Sequence, residues 1–66
     1  MTIYLNDKPH EVTEGTTLDV FLEASGVPAQ GVAVAIRYEV VPKAEWHSTV
    51  LEEGTELMII QAVSGG

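Results

Sequence analysis

A chain of 66 residues makes one domain, and one this short buries only about 60% of its unfolded surface, so its core is thin and leaves little room for a catalytic pocket. It has no cysteine, which excludes disulfides, thiolate metal sites and a thiol nucleophile. Ten acidic residues stand against Lys8, Arg37 and Lys43 for a net charge of −7, too few cations to grip a phosphate backbone or an anionic bilayer, so neither nucleic acid nor membrane is an expected partner.

Met1 to Leu5 reads as a strand with Ile3 and Leu5 on one face and Tyr4 on the other. Asn6-Asp7-Lys8 is turn material, and His10 to Val12 makes a short second strand that closes a hairpin. Thr17 is the expected N-cap of a helix, with Asp19 favouring the positive end of its dipole. Leu18, Phe21 and Leu22 recur at i, i+3 and i+4, which gives one apolar stripe over two to three turns. Gly26 suits the left-handed position after the helix, and Pro28 prevents its resumption.

Val32 to Ile36 is a third strand. Val32, Val34 and Ile36 share one face, while Ala33 and Ala35 form a small-residue face on the other, read either as suited to close approach by another chain or as carrying no meaning. Val40-Val41 is a brief extended piece ended by Pro42, and Lys43 to Trp46 makes one helical turn with Pro42 at its first position. Glu53-Gly54 marks a turn. Leu57 to Val63 is the final strand, with Leu57 and Ile59 assigned to the core and Met58 and Ile60 to the exposed face. These elements predict an α+β domain over residues 1–63, a mixed sheet wrapped on one helix, with the first and last strands parallel and central. Residues 64–66 are read as a flexible tail.

Chemistry points to that tail. A Gly-Gly pair ends a chain by chance in roughly 1 case in 200, which turns attention to why Gly65 and Gly66 stand last. They follow an apolar strand through Ser64, and two residues without Cβ pass through a narrow channel. The only reactive group of such an arm is the α-carboxylate of Gly66, a poor electrophile until activated. ATP converts a carboxylate into an acyl-adenylate, and a sulfur nucleophile then displaces AMP to leave a thiocarboxylate. This is covalent group transfer in which the catalytic residues belong to the partners.

Other residues carry blander readings. Trp46 is expected to cover the edge of the core, with a partner anchor as the alternative. His10 and His47 lack ligand spacing and read as surface histidines, so no metal site is expected. Glu52, Glu53 and Glu56 read as a solvated loop. Thr17 has no neighbouring base and reads as a cap, not a nucleophile. With no apolar run near the roughly 20 residues a bilayer requires, and no cationic leader before an apolar run, a cytoplasmic setting is the expectation.

The whole chain resembles the ubiquitin-like sulfur carriers of the β-grasp fold, and more narrowly the ThiS family of thiamine thiazole synthesis. The resemblance is carried by Leu5-Asn6-Asp7, Gly15-Thr16-Thr17-Leu18, Val34-Ala35-Ile36, Val40-Val41-Pro42-Lys43-Ala44-Glu45-Trp46 and the Gly65-Gly66 end. It departs from the family's common pattern at Arg37, where Asn is usual, and at Lys43, where Arg is usual; Lys43 keeps the charge without the planar fork. The resemblance implies a protein co-substrate without catalytic residues of its own. It implies an E1-like, ThiF-type adenylyltransferase that spends ATP with magnesium on Gly66, and a cysteine desulfurase that supplies sulfur. It further implies a ThiG-type thiazole synthase that takes in the Ser64-Gly65-Gly66 tail, with the exposed face of the last strand, Met58, Ile60 and Ala62, docking both the adenylyltransferase and the synthase. The small subunit of molybdopterin synthase, a ubiquitin-like protein modifier and a binding domain with an inert tail are the rival readings.

Overall fold

The computed structural model describes residues 1–28 and 30–61. Five strands form one sheet in the order β2-β1-β5-β3-β4, from β1 (Thr2–Leu5), β2 (Lys8–Glu11), β3 (Val32–Ile36), β4 (Glu39–Val41) and β5 (Glu56–Gln61). The helix α1 (Leu18–Ala24) lies between β2 and β3 in sequence, and a 3-10 helix (Lys43–Ser48) lies between β4 and β5. β5 is central and parallel to β1, as the sequence reading expected, and it is antiparallel to β3 on its other side.

β2 starts earlier than the sequence suggested. Asn6 and Asp7, at φ 49° and 70°, form a two-residue turn that leaves Lys8 opposite Leu5 and Pro9 opposite Tyr4. Positive φ at both central residues is the signature of the tight hairpin turn whose twist matches its strands. Pro9 is tolerated because β2 is an edge strand. Val12 falls outside the strand proper, but its N–H still donates to the Met1 carbonyl at 2.8 Å.

α1 spans two turns, begins after Thr17 and buries Leu18, Phe21 and Leu22. Its end is fixed by two backbone bonds: Gly26 N–H reaches the Glu23 carbonyl at 3.1 Å and Val27 N–H the Leu22 carbonyl at 3.0 Å. This is the Schellman arrangement, and Gly26 at φ 76° supplies the left-handed residue it requires. The side chain of Thr17 does not cap the helix. Its hydroxyl donates to the carboxylate of Asp19 instead. The N-terminus is held from outside, by Leu18 N–H donating to the Thr49 carbonyl at 2.8 Å.

Pro42 sits one position outside the 3-10 helix as its N-cap, and that helix runs two residues beyond Trp46. The last strand begins at Glu56, one residue before the expected start; Ala62 and Val63, assigned to it from sequence, lie outside the described residues. The core joins Ile3, Val34 and Leu57 of the sheet to Leu18, Phe21 and Leu22 of α1, with Trp46 and Leu51 closing the side. Both ends of the packing are thus set by the periodicities of 2 and 3.6 that place these residues inward.

Candidate functional site: the outer sheet face at the strand leading to the tail

Gly66, Gly65, Ser64 and Ala62 lie outside the described residues. The strand that leads to them does not, and its register settles which side chains face outward. In β5, Leu57 is buried while Met58 and Ile60 are 40% and 50% exposed. Met58 stands opposite Ala35 and Ile60 opposite Ala33, and Val40 of β4 stands opposite Ala35. Cross-strand partners share a face, so Met58, Ile60, Ala33, Ala35 and Val40 form one outer surface. Tyr4 joins it beside Glu56. A run of apolar side chains left uncovered on one face of a sheet is the usual mark of an interaction surface.

The alanine face needs a correction. Ala35 is only 3% exposed. It lies between Met58 and Val40, so neighbours in its own chain close it off, and half-buried Ala33 is left as the small residue of this face that is not closed off. Sequence reasoning found Met58 and Ile60 from their alternation, but it did not add Tyr4 and Val40, whose place depends on strand order.

Two turns grip the start of β5. Asn6 N–H donates to the Leu57 carbonyl at 2.9 Å and Arg37 N–H to the Glu56 carbonyl at 3.2 Å. The amide oxygen of Asn6 also accepts the N–H of Ile59 at 2.9 Å. β1 ends at Leu5, so this side chain extends the β1 edge of the ladder two residues further along the strand toward the tail. An Asn-Asp turn is visible in the sequence, but its reach to residue 59 is not.

The remaining candidates divide between the core edge and the surface. Trp46 is 5% exposed, and its indole N–H donates to the Val41 carbonyl at 2.9 Å. It is a core-edge residue, as expected. His10 is half-buried rather than free on the surface; its ring meets Phe21 edge-on with centroids 5.6 Å apart. His47 is exposed. Within the acidic cluster, Glu53 Oε1 accepts the Thr2 N–H at 3.0 Å and Glu56 is exposed on the outer face. The Thr17 hydroxyl, aided by the Val20 N–H and the nearby charge of His47, holds the Asp19 carboxyl below its ordinary value of 3.8 against a smaller opposing effect of burial.

A mixed five-stranded sheet packed on one helix, with its first and last strands parallel at the centre, defines a β-grasp, ubiquitin-like protein. The chain is 26% identical to the thiamine biosynthesis protein ThiS of Geobacter metallireducens, whose crystal structure it covers in full with a TM-score of 0.87. The solution structure of a thiamine biosynthesis protein from that organism matches with a TM-score of 0.78 over 88% of its chain. The sulfur carrier protein ThiS of Escherichia coli is 29% identical, with both chains covered in full. A thiazole synthase of Magnetococcus marinus is 33% identical over all 66 residues, which span 20% of that longer protein. The ThiS family model matches residues 3–66, and the chain belongs to the ThiS family.

Proposed function

We propose that this ThiS-family chain works as a sulfur carrier in thiamine biosynthesis by holding sulfur as a thiocarboxylate on Gly66. An E1-like adenylyltransferase activates the carboxylate with ATP and magnesium, releasing pyrophosphate. A sulfur nucleophile derived from a cysteine desulfurase displaces AMP. A thiazole synthase then receives Ser64, Gly65 and Gly66 in its own active site and takes the sulfur. The chain is a co-substrate in this scheme, not an enzyme, and it acts in the cytoplasm. Among the described residues no helix is long and apolar enough to cross a membrane.

The observation that carries the reading is the full-length kinship with sulfur carriers in a chain that ends in Gly-Gly. The outer face is the docking surface, through Met58 and Ile60, and Ala62, which lies outside the described residues, is the further contact proposed with them. The kinship with a stretch of a thiazole synthase supports the choice of that enzyme as the recipient over the large subunit of molybdopterin synthase or a target lysine. The test is a reconstituted thiazole assay with the chain lacking Gly66. Loss of product from a variant whose unfolding midpoint matches the parent supports the reading; undiminished product overturns it.

A further inference from the structure

The turn between β3 and β4 is built from the wrong residues for its geometry. Arg37 and Tyr38 occupy it at φ 52° and 69°, and Ile36 pairs with Glu39 across it. Such a two-residue turn favours Asn-Gly, because left-handed backbone is strained for residues with large side chains. The equivalent turn between β1 and β2 uses Asn6 and Asp7, which tolerate it. Strain of this kind persists where the surroundings enforce it and clusters at functional sites.

The surroundings here are specific. The turn is tied to the first residue of β5 through the Arg37 N–H. Tyr38 is 88% exposed, far more than a ring held for packing. Arg37 and Tyr38 line a cleft of about 190 Å³ together with Asn6, Asp7, Glu56 and Met58, so the cleft runs into the outer face at Met58. Tyrosine and arginine are, with tryptophan, the residues enriched at binding hot spots. Arg37 is also one of three cations in a chain of net charge −7. A positive group at the rim of an acidic protein helps to orient docking when the partner matches it with a carboxylate.

We propose that the Arg37–Tyr38 turn is a specificity element for the thiazole synthase, with the Tyr38 ring seated in a depression of that partner and Arg37 paired to one of its carboxylates. This rests on the outer face being the docking surface. The choice of the synthase is supported by the thiazole synthase that carries, within one longer protein, a stretch 33% identical to all 66 residues of this chain. The turn lies at the start of β5, and Leu57 to Gln61 spans about 13 Å at strand spacing. A contact there sets the direction in which the strand aims its C-terminal end.

The experiment compares the full chain with R37N/Y38G and with M58D, reading the thermal midpoint and the affinity for the purified thiazole synthase and for the adenylyltransferase. The double variant relaxes the turn, so its midpoint rises by about 5 °C, while its Kd for the synthase weakens at least about ten-fold and its affinity for the adenylyltransferase stays within about two-fold. Unchanged synthase binding by R37N/Y38G, with binding lost in M58D, overturns the role of the turn and leaves the docking face standing. Parent-like binding by M58D overturns the docking face itself. A lowered midpoint in the double variant contradicts the strain, and a loss confined to the adenylyltransferase contradicts the choice of partner.

Discussion

The amide oxygen of Asn6 accepts the backbone N–H of Ile59 at 2.9 Å, and so a residue of the first turn holds the last strand beyond the point where its strand partner ends. The same residue adopts φ 49°, a conformation Asn tolerates better than most. Asn6→Ala loses the acceptor and strains the turn, for a destabilisation of about 1–3 kcal/mol. Asn6→Asp keeps both an acceptor and a tolerant backbone and stays closer to the parent. Amide exchange at Ile59 measures the effect directly. Faster exchange there in the alanine variant, beyond what its global stability explains, is the expected result.

The two faces of β5 have separate duties. Leu57 is buried in the core while Met58 beside it is exposed. Leu57→Ala costs about 2–5 kcal/mol, a large share of the roughly 3–10 kcal/mol expected for a chain of this length. Met58→Ala costs under about 1 kcal/mol and shows its effect in partner binding. Urea unfolding and a binding titration on the same pair of variants separate the two; equal losses of stability contradict the assignment of faces.

Much of this was legible in advance, because periodicity alone assigns it. The Leu18, Phe21 and Leu22 stripe predicts the buried face of α1, and alternation separates Leu57 and Ile59 from Met58 and Ile60. The Gly26 and Pro28 stop is local chemistry. What escaped depends on partners distant in sequence. The second strand is read from His10 onward, and only its place at the sheet edge shows why it also takes in Lys8 and Pro9. Ala35 looks open until Met58 and Val40 are placed on either side of it. Thr17 holds the N-cap position, yet its hydroxyl is drawn to Asp19 while Thr49 satisfies the helix end.

That diversion has a measurable signature. The folded state holds the Asp19 carboxyl below 3.8, chiefly through the Thr17 hydroxyl. The stabilising contribution is therefore complete above the unfolded value and fades as pH falls through the lower folded value. Thr17→Val removes the donor, so the Asp19 carboxyl titrates closer to its ordinary value and stability depends less on pH in that acid range. A carbon-detected NMR titration of Asp19 reports it; an unchanged midpoint in the variant contradicts the cause.

Trp46 makes its own test. Its indole N–H is bonded to the Val41 carbonyl at 2.9 Å, next to the Pro42 N-cap. Trp46→Phe keeps an aromatic ring in the core but leaves that carbonyl without its donor, a loss of about 1–3 kcal/mol. Denaturant unfolding measures it, and a variant as stable as the parent removes the hydrogen bond from the account.

The decisive measurement concerns the carboxylate at the last residue. The full chain is incubated with ATP, magnesium, the adenylyltransferase and a sulfur source, and the C-terminal peptide is then weighed. Replacement of one oxygen by sulfur at Gly66, dependent on ATP, is the predicted result. A peptide that stays at its unmodified mass with every component active, while an authentic carrier in the same mixture gains sulfur, contradicts the account.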